Sequence, residues 1–293
     1  QGLHGHLSHD DRDGVQKLHR APVPRVGGLA LLAGQLLGGL ALPAGMRELW
    51  WAVCLSVLPA FAAGLAEDIT KRVGVRWRLA ATILAGLLFS ILTGYSIARV
   101  GLPGADALLA LKWFAIPFTA FAIGGIANAL NIIDGVNGLA SGSAIIVLSG
   151  FALVAAQSGD GEMLALCLVS IGALAGFFVL NFPLGKLFLG DAGAYSTGFV
   201  LAVIAVMLPL RNPQLSPLIG LLALAYPVIE TMVSIHRRTV RKGTNPGQPD
   251  RLHLHSLVYR HRARSLARAL GLPHLRNAMT SVLLWLLPLL SVA

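Results

Sequence analysis

In the stretch NALNIIDGVNGLASG (128–142), Asn128, Asn131, Asp134 and Asn137 recur at intervals of three within a chain that is 55% hydrophobic. Residues three apart occupy neighbouring positions on a helix surface, so Asn128, Asn131 and Asp134 can share one side until Gly135 and Gly138 end the helix. Amides and a carboxylate converging at a helix end suit a polar ligand. They also suit hydrogen bonding between helices, which Asn supplies in membranes for about 0.6–2 kcal/mol.

Three other stretches carry chemistry. In GLAEDITKRVGVRWRL (64–79) Glu67 and Asp68 precede Lys71, Arg72, Arg76 and Arg78. Adjacent helical side chains point about 100° apart, so only one carboxylate of the pair can face a given site, and Asp68 is the expected one. The other reading is a solvated membrane edge. In LFLGDAGAYSTGF (187–199) Asp191 lies between Gly190 and Gly193 at the start of an apolar run. Such a helix start attracts anions, and a carboxylate there tolerates a phosphate when a divalent cation lies between them; a plain N-terminal cap is the alternative. The last polar stretch, 236–261, contains DRLHLH with His253 and His255, then Tyr259, Arg260 and His261. No Cys lies nearby and Arg is abundant, so a diphosphate or a lipid surface fits better than zinc.

The elements that must position these residues are membrane helices. The chain has 293 residues, 12% of them charged, against roughly 25% in soluble domains. Its mean hydropathy is +0.72. Apolar runs predict nine spanning helices at 27–43, 49–66, 77–95, 113–130, 139–156, 162–181, 194–209, 215–235 and 275–292, an all-α polytopic membrane fold. Pro59, Pro117 and Pro227 are expected to kink helices without breaking them. Cys54 and Cys167 read as buried thiols, Glu230 as structural, and Gly34 with Gly38 as a close-packing pair.

Alternating nine helices puts all but Arg47, Arg99, Lys112 and Arg211 of the 23 Lys and Arg on one side, which the positive-inside rule makes cytoplasmic. The same side holds all four polar stretches. The net charge of +10 is then mainly an orientation signal and no nucleic-acid partner is expected. A transporter would instead place charges near the bilayer midplane, whereas the carboxylates other than Glu230 stand at helix ends. A non-catalytic scaffold retaining the motifs is the other alternative class.

Taken in order, KLHRAPVPRVGG (17–28), the acidic pair, NALNIIDGVNGL, FLGDAG and the His-x-His loop make the chain resemble the polyprenyl-phosphate N-acetylhexosamine-1-phosphate transferase superfamily, of glycosyltransferase family 4 type. The resemblance implies one membrane-embedded domain over 1–293 with a long cytoplasmic loop at 236–274, in the bacterial cytoplasmic membrane. It implies transfer of a sugar phosphate from a UDP-N-acetylhexosamine to undecaprenyl phosphate with Mg²⁺, or Mn²⁺ in its place, releasing UMP. By the same resemblance Asp68, Asp191 and Asp134 are the catalytic carboxylates, with Asp191 the metal ligand and Asp68 deprotonating or orienting the lipid phosphate. Asn128 and Asn131 line the nucleotide pocket, Arg78, His253 and His255 bind phosphates, and Lys17, His19 and Arg25 stand near the lipid entrance. Membrane lipid is a further partner, and a homodimer is compatible with the sequence.

The chain departs from the family pattern in Glu67, where Asp is more familiar, and in Asn137, where many relatives have Asp. Relatives often have ten or eleven helices, which implies that a terminal helix is absent here. DRLHLH is similar to the branch that starts O-antigen, enterobacterial-type or teichoic-acid polymers. The peptidoglycan branch, with a UDP-muramoyl-pentapeptide donor, usually shows three consecutive histidines. UDP-GlcNAc is the expected donor, followed by deoxy relatives such as UDP-FucNAc and UDP-QuiNAc.

Overall fold

Helices follow the apolar runs, and no strand occurs among the described residues. The computed structural model describes residues 23–242 and 252–293. Lys17 and His19 lie outside them. The first nine helices are α1 (Gly27–Leu40), α2 (Ala44–Ser56), α3 (Leu58–Thr70), α4 (Val75–Thr93), α5 (Pro103–Leu109), α6 (Lys112–Ile133), α7 (Leu139–Gln157), α8 (Gly161–Asn181) and α9 (Gly190–Arg211). After these come α10 (Ile219–Ala223), α11 (Ala225–His236), α12 (Leu254–Val258), α13 (Arg264–Ala269), α14 (Arg276–Leu284) and α15 (Leu286–Val292).

All nine expected segments are helical, but they are not nine continuous spans. Among the described residues six helices are long and apolar enough to cross a bilayer: α4, α6, α7, α8, α9 and the stretch Pro273–Val292. A seventh span is possible if α2 and α3, bent by 41°, act together, while α1 has only 14 residues. Pro59 and Pro227 each interrupt the regular helix at one residue: α3 begins at Leu58 after Val57, where the chain bends by 41°, and α11 begins at Ala225 after Leu224. Proline has no N–H to bond the carbonyl one turn back. For Pro227 that carbonyl is Ala223 O, and it accepts the Ser291 hydroxyl at 3.1 Å instead. Pro117 stays inside α6, as expected.

Helix α9 is the centre of the bundle, buried along nearly its whole length against α1, α3, α4, α6, α7, α8 and α10. It lacks a polar face, as a helix surrounded by other apolar helices must. Small residues such as Ala192, Gly193, Ala194, Gly198 and Ala202 let neighbours approach closely, which replaces the hydrophobic drive that lipid removes. The outer helices face outward with large apolar groups, and Trp77 and Trp113, 75% and 72% exposed, stand near opposite ends as interfacial anchors do.

The end of the bundle away from the polar stretches is tied by ions. Asp160 caps α8 by accepting from Met163 N, and its carboxylate also takes Arg211 Nε and Nη2 at 2.8 and 3.0 Å and Asn212 Nδ2 at 3.2 Å. Arg211 also donates to the Tyr95 hydroxyl at 3.0 Å. Burial disfavours the Asp160 anion, but the Arg211 hydrogen bond and charge, Met163 N and Asn212 outweigh it, and the carboxyl is held below its ordinary value. A depressed pKa stabilises the fold above the unfolded value of about 3.9 and ceases to do so as pH falls through the lower folded value. Thermal unfolding in detergent should therefore drop in temperature between about pH 5 and pH 3. Arg211→Gln should lower stability near neutrality by on the order of 1–3 kcal/mol and flatten that acid slope. An unchanged slope in the variant would refute the assignment.

Candidate active site

At the other end of the bundle, the C-terminal ends of α3 and α6 meet the N-terminal ends of α4 and α9. The segment before α1 closes one side by pairing with the chain before α9: Phe188 N donates to Pro24 O, and Gly27 N to Phe188 O, each at 3.0 Å. This places Arg25 beside the site.

Asp68 is 1% exposed. Its Oδ1 accepts Asp191 N and its Oδ2 accepts Ala192 N, each at 3.0 Å. The first amides of a helix have no partner within it, so a carboxylate from α3 caps α9 across 123 residues of sequence. Gly190 makes the approach possible. Its φ is +73°, and a Cβ there would stand 2.5 Å from Asp68 Oδ2 and 2.9 Å from Arg25 O. Glu67 turns away, accepting Val73 N at 2.8 Å with Oε2.

Asp191 takes both sequence-predicted donors. Arg78 Nη1 forms an ion pair with its Oδ2, and Asn131 Nδ2 donates to its Oδ1 at 3.1 Å. Asp134 follows the last residue of α6, half-buried, and accepts no hydrogen bond from a described residue. Burial pushes its carboxyl up to about 7; Arg25 opposes this, and the charges of Asp191 and Asp68 add to it. The three carboxylates are thus close enough for their charges to act on one another, with Arg25 beside them and Arg78 paired to Asp191.

Asn128 does not join them. Its amide donates to Thr82 Oγ1 of α4 and to Gly124 O, each at 2.8 Å. Steps of three residues fall about 60° short of a full turn each, so Asn128 lies about 120° around the helix from Asp134. It serves the interhelical reading. Asn137 is also structural: its side chain donates to Pro183 O at 3.0 Å, its N–H to Asn277 Oδ1 at 2.8 Å, and its carbonyl accepts the Ser281 hydroxyl at 2.7 Å. With Trp285 Nε1 on Gly138 O at 3.2 Å, the last helices thereby hold the turn that carries Asp134.

His253 and His255 approach from the last loop, with rings stacked 5.5 Å apart. The His255 ring lies on Gly135, where a Cβ would meet its Nε2 at 2.2 Å, so the loop is packed onto the turn beside Asp134.

Lys71 was not among the expected site residues. It is the one non-glycine residue at positive φ, +55°, among the described residues, a conformation that costs energy and is concentrated at functional sites. The turn folds its Nζ back to Asp68 O at 2.8 Å. Burial and the charge of Arg25 hold its pKa below the ordinary value, against the attraction of Asp68, Asp191 and Glu67. Its position three residues after Asp68 was visible; the left-handed turn that directs it inward was not.

No three His, Cys, Asp or Glu side chains among the described residues enclose a metal by themselves. The donor set still fits a hard divalent cation. Asp134 has an uncommitted carboxylate, Asp191 adjoins it electrostatically, and one or two carboxylates completed by phosphate oxygens and water is the usual coordination of Mg²⁺. The carboxylate oxygens of Asp134 and Asp191 are hard donors of the kind such a cation prefers.

Residues 50–209, more than half the chain, match the family model described as glycosyl transferase family 4. The chain belongs to that family. The matched span contains Asp68, Lys71, Arg78, Asn131, Asp134 and Asp191, and ends before the His-x-His loop. A probable undecaprenyl-phosphate N-acetylglucosaminyl 1-phosphate transferase of Bacillus subtilis (strain 168) is 30% identical over 251 residues, covering 84% of this chain and 68% of the relative. Undecaprenyl-phosphate alpha-N-acetylglucosaminyl 1-phosphate transferases of Yersinia pestis and Escherichia coli (strain K12) are each 27% identical over 85% of this chain and 69% of their own length. Family and relatives place the chain in the polyprenyl-phosphate N-acetylhexosamine-1-phosphate transferase superfamily, and its apolar helices make it an integral membrane protein.

Proposed function

We propose that this protein transfers N-acetylglucosamine 1-phosphate from UDP-GlcNAc to undecaprenyl phosphate, giving undecaprenyl-diphospho-N-acetylglucosamine and UMP. It would be the first membrane step of a cell-surface polysaccharide, performed at the cytoplasmic face of a bacterial cytoplasmic membrane. The observation that carries this reading is the convergence of Asp68, Asp134 and Asp191 with Arg78 and Lys71 at one end of the bundle, inside the family-matched span. The relatives' names supply the sugar and the lipid, and the excess of Lys and Arg at the site end supplies the orientation.

The reaction joins two anions. An oxygen of the lipid phosphate forms a bond to the β-phosphorus of the donor. The bond from that phosphorus to the oxygen bridging the two phosphates breaks, and UMP leaves with the bridging oxygen. Little covalent work falls to the protein, and positioning and charge neutralisation carry phosphoryl transfer. Asp191 and Asp134 would hold Mg²⁺ or Mn²⁺, which would neutralise charge on the diphosphate and polarise the attacked phosphorus.

Arg78 and Lys71 present cations to the phosphates, with Arg25 on the side next to the segment before α1. Asn131 fixes the rotamer of Asp191. Asp68 spends both oxygens on α9 and so positions Asp191; orienting the lipid phosphate would require it to release one amide. The lipid phosphate is already largely ionised near neutral pH, so the chemistry does not depend on a base.

The test is UMP release by the purified protein in detergent with undecaprenyl phosphate, Mg²⁺ and a panel of UDP-N-acetylhexosamines, with EDTA as control. Lipid-dependent UMP formation with UDP-GlcNAc is the expected result. Release only with UDP-FucNAc or UDP-QuiNAc would reassign the sugar. No release with any simple donor from folded protein would overturn the reading.

A further inference from the structure

Glu230 is a buried carboxylate in the middle of α11, and its partner is the loop. Oε1 accepts both from His253 Nδ1 and from Leu254 N, each at 3.0 Å. Arg237 Nη1 holds the preceding carbonyl, Leu252 O, at 3.1 Å. Helix α11 and the residue that follows it therefore grip three successive residues, Leu252, His253 and Leu254.

A carboxylate can only accept, so the ring atom facing Glu230 must carry hydrogen, which leaves His253 Nε2 as the atom offered to a ligand. Nε2 has no hydrogen-bond partner among the described residues. The arrangement continues inward. His255 stacks on His253 at an interplanar angle of 10° and lies against Gly135, one residue from Asp134. His255 is 6% exposed and its Nδ1 is buried without a partner among the described residues. Burying a charge is costly unless it is paired, and His253 Nδ1 with Leu254 N pairs this one.

We propose that Glu230 is a positioning residue that fixes the orientation and hydrogen placement of His253, so that the His-x-His loop presents Nε2 to the donor diphosphate. This rests on the reaction proposed above. It assigns to Glu230 a role that its depth in the membrane and its distance in sequence from the loop do not suggest.

The experiment compares wild type, Glu230→Gln, His253→Ala and the double variant by UDP binding in the presence of Mg²⁺ and by the KM for UDP-GlcNAc. Glutamine keeps an acceptor for Leu254 N but removes the charge. Glu230→Gln should weaken UDP binding and raise KM by about tenfold, the weight of one charge-assisted hydrogen bond, with a smaller effect on kcat. In the His253→Ala background the same change should add nothing, because the pair acts as one unit. Unchanged UDP affinity in Glu230→Gln, or losses that multiply in the double variant, would overturn the proposal. A second measurement needs no Glu230 variant: nitrogen-15 spectra of histidine-labelled wild type, with His253 assigned by its loss in His253→Ala, should show hydrogen on Nδ1. A neutral ring with hydrogen on Nε2 only would contradict it. UDP binding and the spectra do not require turnover, so failure of the wild type to release UMP would refute the reaction while leaving these readouts to decide on Glu230.

Discussion

Asp191→Asn should abolish Mg²⁺-dependent UDP binding and lower UMP release by on the order of 10²- to 10³-fold, the usual consequence of removing one preorganised electrostatic group from a reacting centre. The substitution is nearly isosteric. Its carbonyl oxygen can still accept from Asn131 Nδ2, as Asp191 Oδ1 does at 3.1 Å, and its backbone N–H still reaches Asp68. What disappears is the charge that pairs with Arg78 and that would share a cation with Asp134. In EDTA the variant should bind UDP no worse than wild type, because a carboxylate that no longer confronts the diphosphate no longer repels it. Retained turnover would remove Asp191 from the metal-holding role. Weaker UDP binding in EDTA as well as in Mg²⁺ would mean that the residue contacts the nucleotide directly.

Asp68→Asn is expected to lower both turnover and Mg²⁺-dependent UDP affinity by about 10- to 100-fold, as loss of an orienting partner does at metal sites. Asparagine offers one acceptor and one donor where two amides, Asp191 N and Ala192 N, both donate. One amide then faces an N–H₂ group, a buried mismatch worth about 1–3 kcal/mol that should lower the unfolding temperature as well. The pattern distinguishes two roles for the same carboxylate. A residue that positions α9 affects binding, turnover and stability together. A base for the lipid phosphate would affect kcat alone, and a kcat-only defect would sink the capping account.

Much of the site was legible because its residue types are unusual where they stand. Asp68, Asn131, Asp134 and Asp191 are polar groups at the ends of apolar helices, and helix length with charge bias predicts which ends share a side. The helix boundaries were harder. Val57 and Leu224 lie inside apolar runs, and the breaks there depend on what replaces the hydrogen bond that a proline removes; Ser291 does so for Ala223 O from 68 residues away. Asn128 and Asn131 look alike in spacing, yet only the second reaches Asp191, because the 60° drift per step decides which faces α4 and which faces α9. Lys71 entered the site through a left-handed turn that local residue types do not announce. Glu230 read as structural because its partner is 23 residues distant and belongs to a loop whose path composition does not reveal.

The central claim is that a sugar phosphate, and not a sugar, is moved to the lipid. The most direct test uses UDP-GlcNAc carrying phosphorus-32 in either the α or the β position, incubated with the purified protein, Mg²⁺ and undecaprenyl phosphate, followed by separation of lipid from aqueous products. The β label should appear in the lipid fraction and the α label should remain in water as UMP. Both labels remaining in water while the sugar enters the lipid fraction would show glycosyl transfer with release of UDP, and would contradict the mechanism built on Asp68, Asp134 and Asp191.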